Sequence, residues 1–113
     1  MHELSLCRAI AGIAARNAGE RAVEVIHVRI GQLRQVVPET LVFCWSLVTA
    51  DTALAGSELD VERVAALLHC RGCGAESELA ETFMFVCSGC GSRDVEVLSG
   101  EELLVTALEL AEV

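Results

Sequence analysis

The fold of this chain depends on two short stretches, CRGCG at residues 70–74 and CSGCG at residues 87–91. Each stretch holds two cysteines at C-x2-C spacing, and thirteen residues separate the two pairs. This spacing is typical of paired knuckles that enclose one zinc ion with four thiolates. A zinc ion with four protein ligands has no open position for water, so we expect the metal to be structural.

The glycines of the two stretches support the same interpretation. Gly72 and Gly89 precede the second thiolate of each pair, while Gly74 and Gly91 follow it. Glycines permit the positive-φ turns that bring backbone amides toward the sulfurs. The repeated C-x-G-C-G pattern therefore predicts a pseudo-twofold zinc ribbon with one Zn(II). Its expected ligands are Cys70, Cys73, Cys87 and Cys90.

The composition favours reduced thiols in the cytoplasm. The chain has 113 residues, and its 53% hydrophobic content is ample for a core. We see no targeting segment, and no apolar run reaches the roughly 18 residues that a membrane span needs. Six cysteines could form three disulfides, but the knuckle spacing and the lack of a signal peptide favour free thiols. We expect a cytoplasmic protein without a membrane partner.

The charge of the chain argues against nucleic-acid binding, a common role of zinc ribbons. The formal net charge is −9, and the chain contains no lysine. Four thiolates on one Zn²⁺ add about two further negative charges. Phosphate backbones bind basic surfaces, whereas residues 68–99 offer two arginines against five acidic residues. An acidic surface suits a protein partner with a basic face instead.

Outward from the knuckles, the apolar pattern predicts two helices. Residues 4–14 carry apolar side chains at helical spacing, and residues 17–19 should end this first helix. A second helix is expected to begin at Pro38, which suits the first turn of a helix, with Glu39 beside it and Trp45 further along.

Alternation of apolar residues predicts strands at residues 23–30, 59–64 and 94–98. In the first of these, Ile26, Val28 and Ile30 should share one face. Val23 and Val25 should lie on the other face. Residues 101–113 fit both a helix and a strand, and we expect a strand because two strands alone would form a marginal sheet.

The predicted fold class is therefore α+β, with two helices on a three-stranded sheet and an inserted zinc-ribbon domain. We assign residues 1–67 and 100–113 to the main domain and residues 68–99 to the zinc ribbon. The insertion should leave after a strand ending near residue 67 and return before a strand beginning near residue 101. Two domains connected in this way should pivot somewhat.

The amino terminus offers a second metal site. The α-amine of Met1, the amide nitrogen of His2 and the Nδ1 atom of His2 can close two chelate rings around one ion. Three nitrogen donors in one plane suit Ni²⁺ or Cu²⁺ better than tetrahedral Zn²⁺. The fourth position is open to the backbone amide of Glu3 or to another group. The alternative is that His2 is an ordinary polar terminal residue.

Five motifs occur in one order along the chain. They are MHELS at residues 1–5, IGQL at 30–33, PETL at 38–41, the paired knuckles, and GEEL at 100–103. In this combination the chain resembles the HypA/HybF family of hydrogenase maturation proteins, the nickel metallochaperones that help insert nickel into [NiFe] hydrogenase. The resemblance covers essentially the whole chain.

The resemblance implies that Ni(II) is a cargo bound by His2, with the Met1 amine and backbone amides such as that of Glu3 beside it. It implies zinc binding by the four knuckle cysteines. It also implies a mixed three-stranded sheet, two helices and a projecting zinc domain. The expected partners are a nickel-handling GTPase and the hydrogenase large subunit as recipient. Whether another nickel enzyme such as urease is also served is left open.

Other candidate residues favour structural roles. His69 precedes a knuckle, but four cysteines already fill the zinc tetrahedron, and His27 fits a polar surface residue of a strand. Cys7 and Cys44 fit small core residues of helices, and residues 83–85 fit a strand in the zinc domain. No arrangement of residues suggests a nucleophile or a phosphate loop, so we do not expect an enzyme. The alternative function is a zinc-ribbon adaptor that binds proteins without handling nickel.

Overall fold

The computed structural model describes residues 2–79 and 84–112 and contains two small sheets. Its elements are α1 (Glu3–Ala18), β1 (Val23–Gly31), a 3₁₀ turn (Gln32–Arg34), α2 (Pro38–Thr49), β2 (Glu58–Val64), β3 (Leu67–Cys70), β4 (Glu76–Glu78), β5 (Val95–Ser99) and β6 (Leu103–Leu110). The first sheet has the order β2-β1-β6, and the second has the order β4-β3-β5. Because β1 pairs parallel with β2 and antiparallel with β6, the first sheet is mixed.

The two α-helices lie where the sequence placed them. α1 ends at Ala18 and is capped by Gly19, whose combination of φ 61° and ψ −125° is easily adopted only by a residue without a Cβ. α2 begins at Pro38, where the missing amide hydrogen would have had no intrahelical acceptor. Leu41, Trp45 and Thr49 are four residues apart and form its buried stripe. Of the helices described, neither is long and apolar enough to cross a membrane.

The main core lies between these helices and the first sheet. Ile26, Val28 and Ile30 are buried on the face of β1 that we predicted to be apolar. The prediction for Val23 is wrong, because Val23 joins the same core. The pairing of β1 with β6 shifts register between Val23 and Val25, and this irregularity turns Val23 to the buried side.

Within residues 2–79 and 84–112, the second sheet has a much smaller core, formed by the buried residues Ala66, Leu68 and Leu79. Our boundary for the preceding strand is wrong by a few residues. β2 ends at Val64, and Leu67 already begins β3 of the second sheet. The choice of a strand for the end of the chain is confirmed by β6. The division into domains at residues 68 and 100 stays a prediction.

The strand expected at residues 83–85 is not found in its described part. Met84 and Phe85 are exposed and lie outside any strand, and Phe83 lies outside the described residues. The second sheet has the order β4-β3-β5, and residues 84 and 85 belong to none of these strands.

Candidate metal centres

The four knuckle cysteines come together at one end of the second sheet. Their Sγ atoms all lie within 4.8 Å of one another. The Sγ atoms of Cys70 and Cys90 are 3.6 Å apart, as are those of Cys73 and Cys87. Sulfurs placed about 2.3 Å from a zinc ion at tetrahedral angles would be about 3.8 Å apart. The sulfur cluster therefore fits a zinc ion in both ligand chemistry and spacing.

The two knuckles have matching hydrogen bonds. In the first, the amide of Cys73 donates to Cys70 Sγ at 3.4 Å, and the amide of Gly74 donates to the Cys70 carbonyl at 2.8 Å. In the second, Cys90 and Gly91 donate to the Sγ atom and the carbonyl of Cys87 at the same distances. This pseudo-twofold repeat agrees with the repeated sequence pattern.

Only one glycine in each knuckle takes a positive φ. The φ angles are 78° at Gly74 and 75° at Gly91, in the region that favours glycine. The expectation that Gly72 and Gly89 also take positive φ is wrong. Within each knuckle, the backbone takes the left-handed conformation at the residue after the second cysteine, so the requirement for glycine applies to that position.

Backbone amides favour the thiolate at the first cysteine of each knuckle. Amide donation from Cys73 lowers the pKa of Cys70, and amide donation from Cys90 lowers the pKa of Cys87 to about 6. At Cys73, the amide of Ala75 lowers the pKa, but hydrogen bonds with the neighbouring thiols outweigh it and raise the pKa to about 12. A bound cation would displace the protons that the thiols still carry.

His2 is exposed and immediately precedes the first helix. His2 has extended backbone angles (φ −79°, ψ 106°), and its carbonyl accepts the amide of Leu6 at 3.1 Å. α1 begins at Glu3, so the Glu3 amide lies in the first turn and has no intrahelical acceptor. Met1 lies outside the described residues. The nickel site itself stays a prediction, and of its expected donors the structure describes His2 as an exposed residue.

A family model described as "Hydrogenase/urease nickel incorporation, metallochaperone, hypA" matches residues 1–110. The chain belongs to the HypA family. Its members are hydrogenase maturation factors and nickel metallochaperones rather than a family defined by a catalysed reaction.

Individual relatives match over nearly their whole length. The hydrogenase maturation factor HypA of Geotalea uraniireducens (strain Rf4) is 44% identical over 110 residues, which are 97% of this chain and 99% of that protein. The corresponding factor of Geobacter metallireducens is 39% identical over the same shares. The solution structure of the Ni metallochaperone HypA from Helicobacter pylori has a TM-score of 0.64 and 22% identity, and covers 97% of each chain. That likeness shows the shared fold.

Cys7 belongs to the main core. It is fully buried, and its thiol donates to the Leu41 carbonyl at 3.4 Å. Burial, followed by the neighbouring Cys44 and Glu3, raises the pKa of Cys7 to about 11. A buried, protonated thiol is a poor metal ligand, which agrees with the predicted packing role. His69 is also separate from the sulfur cluster, because its Nδ1 atom pairs with Glu96 at 2.9 Å.

His27 has a role that sequence reasoning missed. Its Nδ1 atom lies 2.7 Å from Asp60 of β2, and its Nε2 atom lies 2.5 Å from Glu109 of β6. An imidazole that faces carboxylates with both nitrogens can donate to both only when it is doubly protonated. His27 therefore connects all three strands of the first sheet. The partners lie 33 and 82 residues away in the chain, so no local pattern could have indicated the pairing.

Proposed function

We propose that this protein binds Ni²⁺ at its amino terminus and delivers it for the maturation of [NiFe] hydrogenase. In this proposal a nickel-handling GTPase shares the delivery step, and the hydrogenase large subunit receives the metal. Membership of a nickel-incorporation family supports the nickel role. The observation that carries the site is the exposed His2 immediately before the first turn of α1.

The chemistry of the terminus suits Ni²⁺. An unblocked Met1 amine, the His2 amide, the His2 imidazole and the Glu3 amide supply nitrogen donors that can lie in one plane, as Ni²⁺ prefers. With two deprotonated amides, such a complex has no net charge. A neutral complex avoids repulsion from the positive end of the α1 dipole, which would oppose a bare dication.

Reversible binding follows from the same donors. The amide nitrogens must lose protons before they bind the metal, so nickel affinity depends on pH and on local geometry. A partner that reprotonates or distorts the terminus would release the ion. We infer that the protein acts as a carrier and not as an enzyme.

The four knuckle cysteines have a different role in this proposal. We assign them one structural Zn²⁺, because the sulfur spacing fits a closed tetrahedral site. The site is expected to stabilise the second sheet, since four thiolates leave no position for a substrate.

Nickel titration of untagged protein, followed by absorption spectroscopy, tests the nickel site. The variant His2→Ala should lose the absorption of planar Ni²⁺ and keep its zinc content. The matched control is His27→Gln, which removes an imidazole that contacts Asp60 and Glu109 in the first sheet and should titrate like the wild type. Acetylation of the terminal amine should act like His2→Ala. If both treatments leave the titration unchanged, the terminal site is wrong and the adaptor alternative is favoured.

Complementation tests delivery. In cells that lack their own copy of this protein, the wild-type chain should restore hydrogenase activity, and His2→Ala should not. If His2→Ala fails only in supplying nickel, excess nickel in the medium should restore hydrogenase activity to cells that carry either chain. Urease activity measured in the same cells would show whether a second nickel enzyme is served. Full hydrogenase activity with His2→Ala at low nickel would contradict the proposal.

A further inference from the structure

Two of the five sequence motifs, IGQL at residues 30–33 and GEEL at residues 100–103, contain no proposed metal ligand. The structure brings these motifs into direct backbone contact. The amide of Gly31 donates to the Glu102 carbonyl at 2.8 Å, and the amide of Leu33 donates to the Gly100 carbonyl at 2.8 Å. The contact lies where β1 ends and where the chain passes from β5 of the second sheet to β6 of the first.

The backbones cross at this point too closely for side chains. A Cβ atom on Gly31 would overlap the Gly100 carbonyl and would lie 2.6 Å from the Glu101 nitrogen. The φ of Gly31 is −74°, which any residue can adopt, so the requirement for glycine here is one of space. A Cβ atom on Gly100 would lie 2.6 Å from Cα of Ala66. Three chain segments therefore meet at one crossing.

Gln32 connects this crossing to the second sheet through its side-chain amide. Its Oε1 atom accepts the amide of Ala66 at 2.9 Å, and its Nε2 atom donates to the Leu79 carbonyl at 3.4 Å. Ala66 and Leu79 also bond to each other through their backbones at 2.8 Å. Ala66 is fully buried, so without Gln32 its amide would lose this partner in a place that water does not reach.

Leu33 adds apolar contact beside Gln32. It is partly buried against the small core of Ala66, Leu68 and Leu79. Since this core has three buried members among the described residues, one additional leucine is a substantial part of it. The 3₁₀ turn of residues 32–34 thus starts at the end of the first sheet and packs into the core of the second.

We infer that this crossing is a fixed joint, in which Gln32 is the positioning residue that holds the four-cysteine sheet in one orientation against the first sheet. The joint consists of Gly31, Gln32, Leu33, Ala66 and Gly100. The sequence had suggested that the two domains pivot. In the inferred arrangement, the cysteine cluster and the helix that follows His2 move as one body. This inference does not depend on nickel binding or on delivery.

Residual dipolar couplings of backbone amides in the zinc-loaded full chain test the joint. In the wild type, amides of β1, β2 and β6 and amides of β3 and β5 should fit one alignment tensor. The variant Gln32→Met keeps the side-chain length but removes both hydrogen bonds, and it should require two tensors. The matched control is Gln35→Asn in the same segment, because Gln35 is exposed and its φ of 53° is tolerated by asparagine. It should keep one tensor.

Two results would overturn the inference. A wild type that already requires two tensors has a hinge at this point, and a Gln32→Met variant that keeps one tensor shows that Gln32 does not hold the joint. Hydrogen exchange gives a second measurement if Gln32→Met disturbs folding. The Ala66 amide lies outside β3, yet it should exchange as slowly as the amides within β3 in the wild type. Fast exchange of that amide would exclude the bond to Gln32.

Discussion

The two sheets each have three strands, but they differ greatly in the apolar core that supports them. Among the residues that the structure describes, the first sheet packs with its helices around thirteen buried residues, whereas the second has three. One strand of the second sheet, β4, is only three residues long. So small a core rarely offsets the conformational entropy lost on folding, and small modules commonly use a metal ion to make up the difference. We therefore expect apolar burial to fold the first sheet and metal binding at the four cysteines to support the second.

Loss of zinc should have the largest effect, and it should be confined to the second sheet. Structural zinc in small modules contributes roughly 10–16 kcal/mol of apparent binding free energy, which is also folding free energy. We expect chelation, or the variant Cys73→Ser, to unfold residues 68–99 and to leave the first sheet largely folded. Amide exchange followed residue by residue would measure this. Unfolding of both sheets together would contradict the proposed division of the chain.

A cavity in the main core should destabilise the first sheet and leave zinc binding unchanged, which is the opposite of zinc loss. Leu41 is fully buried in α2, and Leu41→Ala should lower the free energy of unfolding of the first sheet by about 2–5 kcal/mol. Denaturant unfolding would measure the loss, and the zinc content of the folded protein should not change. The control on the same helix is Leu47→Ala, where the side chain is 58% exposed and the change should stay within about 0.5 kcal/mol. Equal losses for the two variants would contradict the assigned core.

Replacing glycine with alanine should have opposite effects on stability in the interior of α1 and at the joint. A Cβ atom on Gly12 would meet only Arg16 at 3.4 Å, so Gly12→Ala should stabilise α1 by about 0.5–1 kcal/mol. Gly31→Ala should instead destabilise the protein, because its Cβ has no space beside Gly100. Thermal unfolding should show a higher midpoint for Gly12→Ala and a lower midpoint for Gly31→Ala than for the wild type. A neutral Gly31→Ala would contradict the close crossing of the two motifs.

The smallest expected effect is the contribution of His27 to the pH dependence of the free energy of unfolding. Hydrogen bonds to Glu109 and then to Asp60 raise its pKa above the ordinary value of 6.5, against a smaller opposing effect of desolvation. The neighbouring pair Arg29 and Glu62 belongs to the same two strands, β1 and β2.

The pKa of His27 is higher in the folded chain than in the unfolded chain, so the stabilisation from its two hydrogen bonds is complete below pH 6.5. This stabilisation is lost as the pH rises through the pKa of the folded state. Unfolding free energies of the wild type and His27→Gln, measured between about pH 5 and about pH 9, should therefore converge at high pH. A difference that is constant with pH would show that His27 stays in one protonation state.

Local signals predicted much of this molecule. The start of α2 at Pro38, the end of α1 before Gly19 and the matched cysteine pairs follow from residues close together in the chain. The strand β6 was predicted instead from the argument that two strands alone form a marginal sheet. The features that were missed depend on distant partners. The burial of Val23 follows from a register shift against β6, and the bond of Gln32 to Ala66 joins residues 34 positions apart. Such pairings are set by tertiary packing, which no short pattern contains.

The central claim is that the two regions bind different metals, nickel at the amino terminus and zinc in the sulfur cluster. X-ray absorption at the nickel and zinc edges of untagged protein loaded with both metals tests this most directly. We expect only nitrogen and oxygen neighbours around nickel, and four sulfurs at about 2.3 Å around zinc. Sulfur neighbours around nickel would place the cargo in the knuckles and contradict the account.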